Sequence, residues 1–128
     1  MILDVCIPMP PSVNRIWRKG RHGMYRSSPY MAWRQAAAEA VSGVWSGNPY
    51  AGSVSVELRV YGASRRRYDL DNRAKAVLDL FESVGVLEDD GQVDRLVLRR
   101  GPIVKGGGVW AIVQPMDAEC VPGWPHAI

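Results

Sequence analysis

Residues 54–84, VSVELRVYGASRRRYDLDNRAKAVLDLFESV, change their hydrophobic period halfway along. From Val54 to Tyr61 apolar and polar side chains alternate, which predicts a half-buried β-strand. After Asp71 the apolar residues return every three or four positions, which predicts a helix with one buried stripe. Gly85 follows as a natural C-terminal cap. The segment therefore predicts a strand and a helix joined by a basic turn over residues 62–68.

The flanking segments predict the remaining elements. Residues 2–7 are short, apolar and β-branched and predict a strand, whereas 15–27 predict a basic loop. Ser28 as cap and Pro29 in the first turn predict a helix that continues to about residue 45. Two further strands are predicted over 93–100 and 109–114. The order β-α-β-α-β-β predicts an α+β fold: one domain over 1–117 with helices packed on a small mixed sheet, then an irregular C-terminal tail over 118–128.

Composition excludes several classes of protein. A chain of 128 residues with 47% hydrophobic residues holds one core. It contains no apolar run near the ~20 residues that span a bilayer, and its N-terminus lacks the pattern of an export signal. Two cysteines at opposite ends and two histidines make neither a disulfide framework nor a zinc pattern. We therefore expect a cytoplasmic protein with no membrane partner.

The net charge of +3 conceals a division. Residues 1–68 carry ten Lys and Arg against three Asp and Glu, a net +7, whereas 69–128 carry six against ten, a net −4. Eight of the thirteen acidic residues fall within 69–94. One interpretation is a surface whose charges neutralise each other. The other is a polyanion held by arginine forks near a carboxylate site that binds cations.

The segment Asp69-Leu70-Asp71 follows the arginine-rich turn and precedes the predicted helix. In an extended segment residues i and i+2 point the same way, so Asp69 and Asp71 can aim their carboxylates at one point. Lys75 returns to that face one helical turn after Asp71. Two carboxylates about 4 Å apart repel by roughly 4 kcal/mol at an effective dielectric near 20, which a cation offsets. Oxygen-only ligands suit Mg²⁺ or Mn²⁺.

The simpler alternative is that Asp71 only caps the helix and forms a surface ion pair with Lys75. A second acidic segment, Glu88-Asp89-Asp90, argues for the metal. A strand that returns beside the first could bring Asp90 close to Asp69. Three carboxylates and one phosphate carry a charge of −4, which two divalent ions balance, as in two-metal phosphodiester cleavage.

Four segments in order resemble the RusA family of Holliday junction resolvases, and the resemblance covers most of the chain. They are Pro8-Met9-Pro10-Pro11-Ser12-Val13-Asn14, Asp69-Leu70-Asp71-Asn72-x-x-Lys75, Gly85-Val86-Leu87-Glu88-Asp89-Asp90-x-Gln92-Val93 and Val104-Lys105-Gly106-Gly107. The resemblance implies that Asp69, Asp71 and Asp90 bind the metal and that all three act in catalysis with Lys75. Asp89 is adjacent to the third metal position, so the choice between Asp89 and Asp90 stays open.

The resemblance further implies a homodimeric Mg²⁺-dependent endodeoxyribonuclease, with Mn²⁺ able to substitute. It implies paired nicks that resolve four-way DNA junctions in recombination and repair and leave 5′-phosphate and 3′-hydroxyl ends. It also implies a nucleoid-associated protein of bacterial, prophage or phage origin, with no small-molecule cofactor. The candidate DNA-binding residues are Asn14, Arg15, Arg18, Lys19, Arg21, Arg65, Arg66, Arg67, Arg73 and Lys105. For each basic residue the simpler interpretation is a solvated loop position and not a phosphate contact.

Two other classes of function remain open. One is a junction-binding protein that does not cleave, whose acidic residues only cap and solubilise. The other is a metal-dependent enzyme of small phosphates. The chain argues against the second, because Gly106-Gly107-Gly108 lies between two predicted strands and not between a strand and a helix.

Overall fold

The computed structural model describes residues 1–12, 17–21 and 23–116. Its elements are β1 (Leu3–Ile7), β2 (Trp17–Gly20), β3 (Gly23–Arg26), α1 (Ser28–Ser42), β4 (Val54–Tyr61), α2 (Leu70–Ser83), β5 (Val93–Arg100) and β6 (Gly108–Pro115). A 3-10 turn over Asp90–Gln92 leads into β5. The predicted α+β class is confirmed, and the predicted tail lies outside the described residues.

Four strands form one mixed sheet in the order β1-β6-β4-β5. β4 and β5 run parallel, with Val54 opposite Val93 and Val60 opposite Arg100, and the other two pairs are antiparallel. β4, α2 and β5 therefore form a β-α-β unit in which α2 runs back along the sheet. The loop after β4 and the turn before β5 lie at opposite ends of this unit.

The core lies between one face of the sheet and the two helices, which contact each other. Alternate residues of β1 and β6 are buried, as the period of two requires. Phe81 of α2 is fully buried, and the α1 residue Trp33 donates from Nε1 to the Pro8 carbonyl at 2.8 Å. In the ranges that the structure describes, no helix is long and apolar enough to cross a membrane.

The ends of the two helices follow local chemistry. Gly85 has φ +84°, and the amide of Val86 donates to the Phe81 carbonyl at 2.9 Å, so the predicted glycine stop is confirmed. The N-cap of α1 is Ser27 and not the predicted Ser28, because the Ser27 side chain accepts a hydrogen bond from the Tyr30 amide at 3.3 Å. α1 also ends earlier than predicted, at Ser42.

The interpretation of residues 15–27 as a loop is wrong where the structure describes them. β2 and β3 pair as an antiparallel hairpin, from Trp17 opposite Arg26 to Gly20 opposite Gly23. The sequence does not predict this hairpin, because its residues show no clear alternation of apolar and polar types. Gly23 has φ +114°, a conformation that L side chains rarely adopt.

Candidate functional site

The N-terminus of α2 presents two exposed carboxylates. Asp69 is the N-cap residue, with extended backbone, and α2 begins at Leu70. Asp71 therefore lies inside the first helical turn, and the expected extended spacing of the two aspartates is wrong. The reason is that the helix starts one residue before Asp71. The alternative in which Asp71 caps the helix is also wrong, since Asp69 has that position.

Asn72 connects the two carboxylates. Its side-chain Nδ2 donates to Asp69 Oδ2 at 3.3 Å, and its backbone amide donates to Asp71 Oδ1 at 3.1 Å. An aspartate at an N-cap usually accepts hydrogen bonds from the backbone of the first helical turn. Within the described part of the chain Asp69 makes no such bond. Both carboxylates are thus hydrogen-bonded to one residue, and that of Asp69 makes no bond to the helix backbone in the described chain.

A charged stripe continues along the solvent side of α2. It consists of Asp71, Lys75, Asp79 and Glu82, which share one helix face because they are spaced by four, four and three residues. Lys75 Nζ lies 3.6 Å from Asp79 Oδ1, and its side chain is 67% exposed. The ion pair of Lys75 is therefore with Asp79, one turn beyond Lys75, and the exposure of Lys75 leaves it able to exchange partners.

Asp90 lies beside the end of this stripe that is nearest the C-terminus of α2. Carboxylate oxygens of Asp79, Glu82 and Asp90 lie within 4.8 Å of one another. Asp79 and Glu82 are not among the site residues predicted from the sequence, although their helical spacing from Asp71 places all three on one face. Three carboxylates this close have oxygen-only chemistry that fits a divalent cation of the Mg²⁺ or Mn²⁺ type.

Asp90 does not lie beside Asp69 within one chain, and that expectation is wrong. α2 has 14 residues, so its two ends are about 21 Å apart at 1.5 Å per residue. β5 runs parallel to β4, so the turn that holds Asp90 precedes β5 at the end opposite the loop that holds Asp69. The structure brings Asp69 together with Asp71, and Asp90 together with Asp79 and Glu82.

Asp89 and Asp90 have different environments. Asp89 Oδ1 accepts a hydrogen bond from the Gly91 amide at 3.0 Å, and Gln92 Oε1 accepts one from the Asp89 amide at 3.0 Å. The Gly91 hydrogen bond, followed by the interaction with the Asp90 side chain, lowers the pKa of Asp89 below its ordinary value. The Asp89 carboxylate thus stabilises the 3-10 turn, whereas the Asp90 carboxylate lies close to those of Asp79 and Glu82.

The basic residues form a border beside Asp69. Arg65, Arg66 and Arg67, hereafter the arginine triplet, are exposed in the loop between β4 and α2. This loop lies between two cavities of about 500 and 510 Å³, and both include Arg66, Arg67 and Asp69 in their walls. Phosphate groups approaching Asp69 would therefore meet the triplet.

The other candidate DNA-binding residues are dispersed. Lys19 and Arg21 are exposed on and beside the hairpin, and Lys105 is exposed in the turn before β6. Arg73 is half-buried and donates from Nη1 to the Pro10 carbonyl at 2.5 Å, which gives it an internal role at the start of α2. Asn14, Arg15 and the side chain of Arg18 lie outside what the structure describes.

Comparison with known proteins adds an independent line of evidence. The family model described as endodeoxyribonuclease RusA matches residues 8–109. The crossover junction endodeoxyribonuclease of Enterobacteria phage 82 is 31% identical over 115 residues, which are 90% of this chain and 96% of that relative. The protein of the same name from Escherichia coli K12 is 30% identical over 116 residues, 91% of this chain and 97% of the relative. The one from Escherichia coli O139:H28 is 32% identical over 117 residues, with the same coverage.

Proposed function

The chain belongs to the RusA family of endodeoxyribonucleases, and we propose that it resolves four-way DNA junctions by paired, Mg²⁺-dependent nicks. The observation that carries this proposal is the environment of Asp69. Its carboxylate makes no cap bond to the helix backbone in the described chain, stands beside Asp71 through Asn72, and adjoins the exposed arginine triplet. Such a site combines cation ligands with a surface for phosphate.

The residues present fit a hard divalent cation. Asp69 and Asp71 would hold it, together with Asp90, and all three offer only exposed carboxylate oxygens. A bound Mg²⁺ or Mn²⁺ ion supplies a Lewis acid for the scissile phosphate and acidifies the attacking water. Of the two candidates for the third ligand, Asp90 is favoured, because its carboxylate lies within 4.8 Å of those of Asp79 and Glu82, whereas Asp89 caps the 3-10 turn.

Two copies of the chain are needed to unite these ligands. Asp69 and Asp90 lie at opposite ends of α2, so one chain holds only part of the set. A two-fold axis perpendicular to α2 that passes beside the middle of its exposed face places the partner's α2 antiparallel, with each end beside the opposite end. Asp90 of the partner subunit then approaches Asp69 and Asp71, and the symmetric dimer has two complete sites. Two sites account for paired nicks across a two-fold symmetric junction.

The remaining residues bind and orient the substrate. The arginine triplet holds phosphates of the DNA arm, since guanidinium forks match phosphate oxygens. Lys75 is exposed, and its ion pair with Asp79 can exchange partners. Its ammonium group stabilises the negative charge that develops on the scissile phosphate. Water adds to phosphorus as the bond to O3′ breaks, which leaves a 5′-phosphate and a 3′-hydroxyl. We infer a role in recombination and repair, in the cytoplasm where bacterial or phage DNA is found.

The function is tested by cleavage of a synthetic four-way junction and of a linear duplex of the same sequence, each with Mg²⁺ and with a chelator. We expect paired nicks in the junction with Mg²⁺, little cleavage of the duplex, and none with the chelator. The matched variants are Asp69→Asn, expected to be inactive, and Glu39→Gln, an exposed acidic residue on α1, expected to be active. Binding without cleavage in both Mg²⁺ and Mn²⁺ would instead indicate a non-catalytic junction-binding protein.

A further inference from the structure

We propose that Arg100 is a positioning residue that fixes the Asp69 carboxylate from the neighbouring strand. This inference rests on the proposed function, in which Asp69 holds a metal ion. Arg100 is the last residue of β5 and lies opposite Val60 of β4, so its side chain is on the face of the sheet that carries the helices. It is separated from Asp69 by 31 positions in the sequence.

Arg100 contacts Tyr68, the residue that immediately precedes Asp69, in two ways. Its Nη2 donates a hydrogen bond to the Tyr68 carbonyl at 2.8 Å, and its guanidinium carbon lies 4.7 Å from the centroid of the Tyr68 ring. A planar guanidinium can stack on a ring and donate in its own plane at the same time, whereas an ammonium group cannot. Both the backbone and the side chain of Tyr68 are therefore held by one residue.

The other side of Tyr68 is also fixed. Its hydroxyl donates to the Val60 carbonyl at 3.4 Å, and the Arg73 guanidinium carbon lies 5.7 Å from its ring. A Cβ atom on Gly62 would lie only 3.0 Å from Tyr68 Cε1, so the ring packs directly on the end of β4. Tyr68 is thus the anchored member of a loop whose residues 63–67 are exposed.

This anchoring matters because Asp69 has little else to hold it. It is exposed, it makes no backbone cap bond within the described chain, and its carboxylate contacts only an Asn72 side chain among the hydrogen bonds described. The direction of its carboxylate is therefore set by the backbone that Tyr68 and α2 provide on either side. Without Arg100, the segment 62–69 would sample several positions, and the two carboxylates would bind a cation less tightly.

A role as a phosphate contact predicts different behaviour. Arg100 borders one of the two cavities beside Asp69, so DNA could reach it. A phosphate contact contributes to junction affinity and to its salt dependence, whatever the metal concentration. A positioning residue changes the metal requirement and leaves junction affinity measured without metal unchanged.

The experiment compares Arg100→Ala and Arg100→Lys with wild type and with Arg99→Ala. Arg99 is the preceding residue of β5 and points to the opposite face of the sheet. Three quantities are measured: the Mg²⁺ concentration for half-maximal single-turnover cleavage, junction affinity with a chelator at several salt concentrations, and amide hydrogen exchange of residues 62–70 in the free protein.

For Arg100→Ala we expect the half-maximal Mg²⁺ concentration to rise about tenfold or more, as for other residues that orient metal ligands. Exchange of residues 62–70 should accelerate while metal-free junction affinity stays unchanged. Arg100→Lys should fall between Arg100→Ala and wild type, and Arg99→Ala should match wild type. An unchanged Mg²⁺ requirement, with or without lower thermal stability, would overturn the proposal, and so would a reduced salt slope with normal exchange.

The hydrogen-exchange measurement separates this inference from the proposed function. If wild type fails to cleave junctions with Mg²⁺, the proposed function is wrong, while faster exchange of residues 62–70 in Arg100→Ala still supports the hold on Tyr68. If wild type cleaves and exchange is the same in Arg100→Ala and Arg99→Ala, the proposed function stands and the positioning role of Arg100 is wrong.

Discussion

Asp69 occupies the N-cap of α2, yet its Oδ2 accepts a hydrogen bond from the Asn72 side chain at 3.3 Å and none from the helix backbone in the described chain. The same Asn72 donates its backbone amide to Asp71 at 3.1 Å. The first turn of α2 therefore gives up the stabilisation of a cap and gathers two negative charges around one residue. This arrangement at the N-terminus of α2 favours the binding of a ligand over the stability of the helix.

This relationship predicts that the caps of the two helices differ in their value for stability. Ser27 is buried and its hydroxyl accepts from the Tyr30 amide, so Ser27→Ala should lower the free energy of unfolding by about 1 kcal/mol. Asp69→Ala should change it by less than about 0.5 kcal/mol, because no cap bond is lost and repulsion with Asp71 is relieved. Urea unfolding measures both values. Equal losses would mean that Asp69 does cap α2.

The arginine triplet should set part of the salt dependence of junction binding. Replacing Arg65, Arg66 and Arg67 by alanine should weaken binding and reduce the slope of log K against log salt by about 0.9 for each lost phosphate contact. Affinity is measured between 50 and 200 mM salt with a chelator present, conditions chosen to span about a decade or more in affinity. Arg99→Ala, on the far face of the sheet, serves as the control. An unchanged slope would remove the triplet from the DNA interface.

Substituting Asp89 and Asp90 in turn by asparagine should have different effects on the rate of junction cleavage. Asp89→Asn keeps an oxygen that can accept from the Gly91 amide, so the turn and cleavage should be preserved. Asp90→Asn should abolish cleavage at the Mg²⁺ concentration that suffices for wild type, because a metal ligand is lost. The rates are measured with the same junction and under single-turnover conditions. The opposite ranking would assign the ligand to Asp89.

Tyr50 should make stability fall at alkaline pH. Its hydroxyl donates to the carbonyls of Met1 and Val113, at 2.6 and 3.1 Å, and burial raises its pKa above the ordinary value of 10.0. A raised pKa means that the contribution is fully present below pH 10 and is lost as pH rises through the folded-state pKa. Tyr50→Phe should be less stable at pH 7 by about 1 kcal/mol and should lose less between pH 9 and 11, measured by urea unfolding. An equally steep alkaline loss in Tyr50→Phe would point to other groups.

Sequence periodicity predicted most of the fold because it reports burial directly. The alternation over Val54–Tyr61 and the apolar stripe up to Phe81 correspond to β4 and α2, and Gly85 stops the helix as expected. The hairpin of β2 and β3 was missed because its sequence shows no regular alternation of apolar and polar residues. Its positions therefore carry little signal in a single sequence.

The site was predicted less completely than the fold. Side-chain chemistry and spacing pointed to Asp69, Asp71 and Lys75, but the position of Asp90 depends on the direction of β5. Because β5 is parallel to β4, its start lies at the far end of α2, and periodicity does not report strand direction. The contact between Arg100 and Tyr68 joins residues 32 positions apart and leaves no local pattern.

The most direct measurement mixes two inactive subunits. Asp69→Asn and Asp90→Asn proteins, each expected to be inactive as homodimers, are unfolded together, refolded, and assayed for nicking of a four-way junction with Mg²⁺. If each metal site takes Asp69 from one subunit and Asp90 from the other, a mixed dimer has one intact site, and nicking of single strands should return without paired resolution. Refolded single variants serve as controls. Mixed dimers that form, shown by tagged subunits that copurify, and yet remain inactive would contradict a site shared between two copies of this chain.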